Sequence, residues 1–164
     1  MEESELQQIV RWAALVPHNG IIVEVGSFKG RSTIAWSTSC DPSVTVYSMD
    51  FFNDYAEPYY AAFLENTKDI TNIRPISCIV PYTMPNWTDQ MIDVFFLDGM
   101  HKNPADIDGI KYFLPWIKKG GMICGHDYMV EEWPDVVENT RTLEKILDKS
   151  VTLYEGTTLW SFTI

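Results

Sequence analysis

The order of elements along this chain predicts an α/β fold, a mostly parallel sheet with helices on both faces. Three observations carry that expectation. Short continuous apolar runs, Ile21-Ile22-Val23 and Ile92 to Leu97, have the composition of strands buried on both sides. Stretches with apolar residues at helical spacing alternate with them. Polar residues then stand where the runs end, namely Glu24 and Gly26, Asp50, Asp98, and His126-Asp127. Open sheets of this kind bind ligands beyond the carboxyl ends of their strands, where strand order reverses.

Leu6, Ile9, Val10, Ala13 and Val16 recur at helical spacing and predict an N-terminal amphipathic helix, stopped by Pro17-His18-Asn19-Gly20. Ile21 to Val25 reads as a buried strand feeding a glycine turn, with a helix from Gly30 to Ser39. Val44 to Met49 is rich in β-formers and ends at Asp50, and a helical pattern runs from Asp54 to Lys68. A third strand is placed from Ile73 to Ile79. The fourth, Ile92 to Leu97, closes on Asp98-Gly99 and precedes a helix carrying Ile107, Ile110, Leu114 and Ile117. Gly120-Gly121 turns into a fifth strand, Met122 to Gly125. A last helix covers Val136 to Lys149, and Val151–Tyr154 and Thr158–Thr163 form an antiparallel hairpin about Glu155-Gly156.

Length and charge set limits on function. With 164 residues the chain fits one domain, and 46% hydrophobic against 21% charged residues is an ordinary globular balance. No apolar run is long enough to span a bilayer. Twelve Lys+Arg against 23 Asp+Glu give a net charge of −11, which opposes nucleic acid or an anionic membrane as partner. Cys40, Cys78 and Cys124 are odd in number and lack metal-binding spacing, and the first residues are acidic rather than signal-like. The expected location is cytoplasmic.

The turn Val25-Gly26-Ser27-Phe28-Lys29-Gly30-Arg31-Ser32 narrows the cofactor. A dinucleotide fold needs glycine where Phe28 stands, and a P-loop needs one more residue between its glycines and then Lys-Ser/Thr. A polyphosphate ligand is therefore disfavoured. Asp50 lies 24 residues past Gly26, close to the spacing of about 20 for an acid that holds a ribose diol. The helix start near Gly30 to Ser32 offers backbone N–H groups to a carboxylate. Ribose and carboxylate without phosphate describe S-adenosylmethionine.

The motifs Val23-Glu24-Val25-Gly26-Ser27-Phe28-Lys29-Gly30-Arg31-Ser32-Thr33, Phe96-Leu97-Asp98-Gly99-Met100-His101, Lys119-Gly120-Gly121 and Gly125-His126-Asp127-Tyr128 resemble class I S-adenosylmethionine-dependent methyltransferases. Among these the chain looks most similar to the macrolide-sugar O-methyltransferases and cephalosporin-hydroxylase-like proteins. The resemblance implies a Rossmann-like seven-stranded sheet with an antiparallel C-terminal strand. Within a single domain, 1–164, it implies an N-terminal helix over 1–17, a cofactor-binding core over 21–128 and a hairpin over 150–164. Glu24, Gly26 and Ser27 would contact the methionine end of the cofactor, Gly30 and Ser32 its carboxylate, Asp50 the ribose, and Ser77 and Asp98 the remainder. Some relatives bind Mg²⁺ through an aspartate after the fourth strand and an acidic pair after the fifth. Asp98 and Asp127 match that pattern, whereas His126 replaces the first acid, and an imidazole suits softer divalent metals.

Methyl transfer is an in-line displacement, so the enzyme mainly aligns the acceptor and removes its proton. The resemblance assigns the base to His101, with Asp98 as its catalytic partner. The plainer reading is that His101 only orients Asp98 or caps the next helix. Phe51, Phe52, Tyr55, Tyr128 and Trp133 are candidate walls for a small-molecule acceptor, a sugar hydroxyl in particular, or are simply packing residues. Two other readings stay open: a nicotinamide-dependent oxidoreductase, and a non-catalytic nucleoside-binding module completed by a partner or a second copy of the chain.

Overall fold

A computed structural model describes residues 1–52, 59–88, 90–129 and 131–164. Seven strands form one sheet: β1 (Ile21–Val25), β2 (Thr45–Asp50), β3 (Ile73–Ser77), β4 (Ile92–Leu97), β5 (Ile117–Gly125), β6 (Thr152–Leu153) and β7 (Trp160–Thr163). Their spatial order is β3-β2-β1-β4-β5-β7-β6. β1 to β5 pair in parallel, and β7 runs antiparallel to both β5 and β6. Strand order therefore reverses between β1 and β4, which places the crevice at their carboxyl ends.

Among the described residues five helices flank the sheet: α1 (Glu3–Ala13), α2 (Arg31–Ser39), α3 (Tyr60–Thr67), α4 (Ala105–Phe113) and α5 (Pro134–Leu147). Alternation along β1 divides the core. Ile21, Val23 and Val25 join Ile110 and Phe113 of α4 and Val136 and Leu143 of α5 on one face. Ile22 joins Ile9 and Trp12 of α1 and Trp36 of α2 on the other. Both central strands are buried throughout, since each is covered twice. The three cysteines are buried and unbridged.

Several boundaries differ from the expectation. Ile117 begins β5 instead of ending a helix, because α4 tightens into a 3₁₀ turn at Leu114–Trp116, around Pro115. Gly120-Gly121, read as the turn before the fifth strand, lies inside β5 together with Lys118-Lys119, and the β4–β5 register shifts there. α1 ends at Ala13, three residues early, yet Val16 still packs on its core. The third strand stops at Ser77, and the hairpin arms are shorter than expected. The expected helix start at Asp54 lies outside the described residues.

Candidate active site

The parallel ladder continues past the strands into the crevice. The Gly26 N–H donates to the Met49 carbonyl at 2.8 Å, the Asp98 N–H to Val25 at 2.8 Å, the Cys78 N–H to Asp50 at 2.8 Å, and the His126 N–H to Leu97 at 3.1 Å. Gly26 is obligatory here. Its φ is +94°, and a Cβ would lie 1.7 Å from the Asp98 carbonyl oxygen, so no side chain fits where β1 and β4 exit.

A cavity of about 520 Å³ opens from this crossing toward β2, β3 and the start of α4. Gly26, Asp50 and Asp98, three of the expected cofactor residues, line it, as does Phe51. The wall also contains residues the sequence reading missed: Phe28, Tyr59, Cys78, Met100 and Asp106. Cys78 takes the place expected of Ser77, whose hydroxyl turns back to the Phe51 carbonyl at 3.3 Å. Burial, then the Asp50 charge, pushes the Cys78 thiol up to about 11. Phe28 holds φ +46° and packs on Tyr59 with ring centroids 4.8 Å apart.

Asp50 anchors the loops around its own carboxylate. It accepts from the Phe28 N–H at 2.8 Å, the Phe52 N–H at 2.8 Å and the Tyr59 hydroxyl at 2.9 Å. Phe52 faces inward against Tyr60 and Phe63 rather than the cavity, and Tyr55 lies outside the described residues. Glu24, Ser27, Gly30 and Ser32 do not line the cavity. Glu24 is fully buried, and its Oε2 accepts from the Ser27 hydroxyl at 2.8 Å and from the Thr33 hydroxyl. Its Oε1 has no partner. Burial pushes this carboxyl up to about 7 against the hydroxyls of Thr33, Ser32 and Ser27.

Beyond Asp98 lies a cluster of two aspartates and two histidines. His101 Nε2 stands 3.3 Å from Asp98 Oδ1 and 3.1 Å from Asp127 Oδ2. His126 Nδ1 stands 3.1 Å from Asp127 Oδ1 and 3.4 Å from Asp98 Oδ1. His101 and Asp127 both adopt positive φ, 56° and 59°, and the His101 ring packs on Trp133 at 4.7 Å. Burial works against charge on Asp98, yet hydrogen bonds from His101 and His126 hold it down at about 2. Burial likewise opposes charge on His101, and the Asp98 bond with the charges of Asp98, Asp127 and Asp106 outweighs it, so the ring is raised above its ordinary range. His126 is pushed up to about 10 in the same way, burial being outweighed by Asp127, Asp98 and Glu5.

Residues 23–128, most of the chain, match a family described as a methyltransferase domain. The chain belongs to that family. It is a class I S-adenosylmethionine-dependent methyltransferase, with S-adenosylmethionine as methyl donor. No curated protein sequence matches it. Among solved structures, this methyltransferase is similar to a TDP-rhamnose 3'-O-methyltransferase of calicheamicin biosynthesis at 15% identity and a TM-score of 0.74, with 98% of this chain and 77% of that one covered. The O-methyltransferase NovP is similar at 16% identity and TM-score 0.76, covering 97% and 78%. An rRNA methylase from Streptococcus thermophilus also shares the fold, at 17% identity and TM-score 0.65, covering 98% and 95%. Among the described residues no helix is long and apolar enough to cross a membrane.

Proposed function

We propose that this methyltransferase methylates a hydroxyl of a small molecule, a sugar hydroxyl in particular, with His101 as general base. The observation that carries the reading is the His101 ring held by Asp98, which lines the cavity, and by Asp127. A proton on Nε2 is donated to those carboxylates, which fixes the tautomer. Nδ1, unbonded among the described residues, is then the nitrogen free to accept the hydroxyl proton. Two structures with this fold are O-methyltransferases by description, one acting on TDP-rhamnose. The rRNA methylase shares the fold, but a net charge of −11 opposes an RNA acceptor.

The residues present fit the donor. Asp50 stands at the cavity wall as the ribose acid, and Gly26, where a Cβ would strike the Asp98 carbonyl, leaves bare backbone beside it. When bound, S-adenosylmethionine supplies a methyl group on a sulfonium that leaves readily. The chain has to align the acceptor oxygen and remove its proton. Alignment contributes roughly 7–11 kcal/mol to such a step, and a placed base about 10²–10⁴-fold. His101 takes the proton as the oxygen–methyl bond forms and the sulfur–methyl bond breaks.

A second reading rests on geometry as well. Asp98, His101 and Asp127 bring their ligand atoms within 4.8 Å of one another, a set able to hold a divalent cation. Two carboxylates and one imidazole suit Mn²⁺, Fe²⁺ or Zn²⁺ better than Mg²⁺. His126, expected as a ligand, is not in this set; its Nδ1 faces the two aspartates and its Nε2 faces Glu5 at 2.8 Å. A cation there would acidify the acceptor hydroxyl, and His101 would be a ligand instead of the base.

Calorimetric titration with S-adenosylhomocysteine, followed by a methylation screen over sugar nucleotides and phenols, with EDTA and added metals as parallel arms, tests both readings. Turnover indifferent to EDTA and abolished by His101→Ala supports the base. Loss of turnover on EDTA treatment and recovery with Mn²⁺ supports the metal. Normal S-adenosylhomocysteine binding with no effect of His101→Ala or Asp98→Ala in any methylation assay would return the chain to the non-catalytic nucleoside-binding reading.

A further inference from the structure

The four-residue cluster beside the cavity is tied to the far end of the chain. Glu5, in the first turn of α1, is buried, and its carboxylate is surrounded by hydrogen-bonding partners. Oε2 accepts from the Glu2 N–H at 2.7 Å and faces His126 Nε2 at 2.8 Å. Oε1 accepts from the Thr158 N–H at 3.0 Å and the Thr158 hydroxyl at 2.9 Å. Across the His126 ring, Nδ1 meets Asp127 and Asp98, and those two carboxylates hold His101 Nε2. Glu5, His126, the aspartate pair and His101 thus form one continuous polar chain.

Starting a helix does not require this arrangement. A serine or aspartate at the cap would satisfy the first N–H groups of α1 without burying a carboxylate against an imidazole. A buried carboxylate is costly unless paired and fully hydrogen-bonded; here Glu2 and Thr158 supply neutral donors and the His126 ring faces it as the one ionisable partner. The nitrogens of an imidazole lie on opposite sides, so anchoring one fixes where the other points. Neither Glu5 nor Thr158 falls within residues 23–128 that match the family. The device comes from the two flanking segments.

We propose that Glu5 is a positioning residue of the transfer site: by holding His126 Nε2, it aims Nδ1 at Asp98 and Asp127 and so fixes the carboxylates that orient His101. The inference rests on the reading of Asp98 and His101 as transfer machinery. A purely structural Glu5 would serve only to cap and dock α1.

The chain has three histidines, His18, His101 and His126, so ring ¹⁵N spectra of the intact protein resolve each. Glu5→Gln keeps one carbonyl acceptor, enough for Thr158 or for Glu2 but not for both, and removes the charged acceptor from His126. Glu5→Asp keeps the charge and shortens the reach, and serves as the readout should Glu5→Gln not fold. Ile9→Val trims the buried face of α1 without touching the polar chain. Positioning predicts that both Glu5 variants move the ring signals of His126 and also of His101, which does not touch Glu5. It predicts that His18, on Asp41 and Ser43, stays fixed, and that Ile9→Val lowers Tm without moving His101. The inference is overturned if the Glu5 variants move His126 alone, or if Ile9→Val moves His101 as far as they do. S-adenosylhomocysteine binding by the wild type is measured alongside. If the wild type does not bind it, the methyl-transfer reading fails and the inference with it. If it binds and His101 is unmoved, the inference alone fails.

Discussion

At His101 the surroundings act in opposite senses: burial disfavours the charged ring, while Asp98, Asp127 and Asp106 favour it and prevail. The neutral ring needed for proton removal therefore accumulates only above its ordinary range, so turnover should climb as pH rises through neutrality. A pH–rate profile that falls over that span would remove His101 as base. His101→Ala should lower kcat by about 10²–10⁴-fold while S-adenosylhomocysteine still binds. Asp50 makes the complementary case for binding. Its carboxylate sits at the cavity wall with Phe28, Phe52 and Tyr59 as donors, which leaves about one acceptor site, on Oδ2, for a ribose hydroxyl. A hydrogen bond to a charged group contributes about 1.5–3 kcal/mol, so Asp50→Asn should weaken S-adenosylhomocysteine by roughly 10- to 100-fold in calorimetry.

Strand ends do the positioning, and their demands are steric. With a Cβ at Gly26 only 1.7 Å from the Asp98 carbonyl, Gly26→Ala must part β1 from β4 or abandon the turn. The expected result is loss of S-adenosylhomocysteine binding together with a Tm drop in thermal melts, and a variant that binds normally would contradict the placement of the crossing. Elements whose burial is uniform were legible in the sequence. β1 and β4 are apolar at nearly every position because both faces are covered. The first half of β5 was not legible, since Lys118-Lys119-Gly120-Gly121 carries turn chemistry and is recruited to the sheet only by neighbouring strands. Ile117 has helical spacing from Leu114, but Pro115 ends the helical hydrogen bonding. In the site, residues immediately after strands were readable from position alone, as with Gly26, Asp50, Asp98 and Asp127. Glu5 was not, because it meets His126 across 121 positions of sequence, and the only local sign was its place three residues into a helix. Cys78 escaped notice because an apolar-looking thiol gives no signal of lining a cavity.

Across the molecule, one buried acid sets a pH signature for stability. Glu24 titrates near 7 in the fold, against an ordinary 4.5. The unfolded chain thus gives up this proton at lower pH than the folded one, and the contribution is most favourable below 4.5 and declines as pH rises toward 7. Glu24→Gln should flatten that decline and raise Tm at pH 8 relative to wild type, as read by calorimetric melts. A wild-type Tm that rises between pH 5 and 7 by as much as that of Glu24→Gln would show that burial does not hold the proton. The topology has a practical side as well. β7 descends antiparallel to β5, and Ile164 exchanges hydrogen bonds with Gly120 and Gly121 at the rear of the sheet, at 2.7 and 2.8 Å. The other end of the chain enters at Glu2 and Glu5, against His126. A purification tag or surface tether fused after Ile164 would start at the rear of the sheet, whereas one fused ahead of Met1 would adjoin the Glu2–Glu5–His126 contacts.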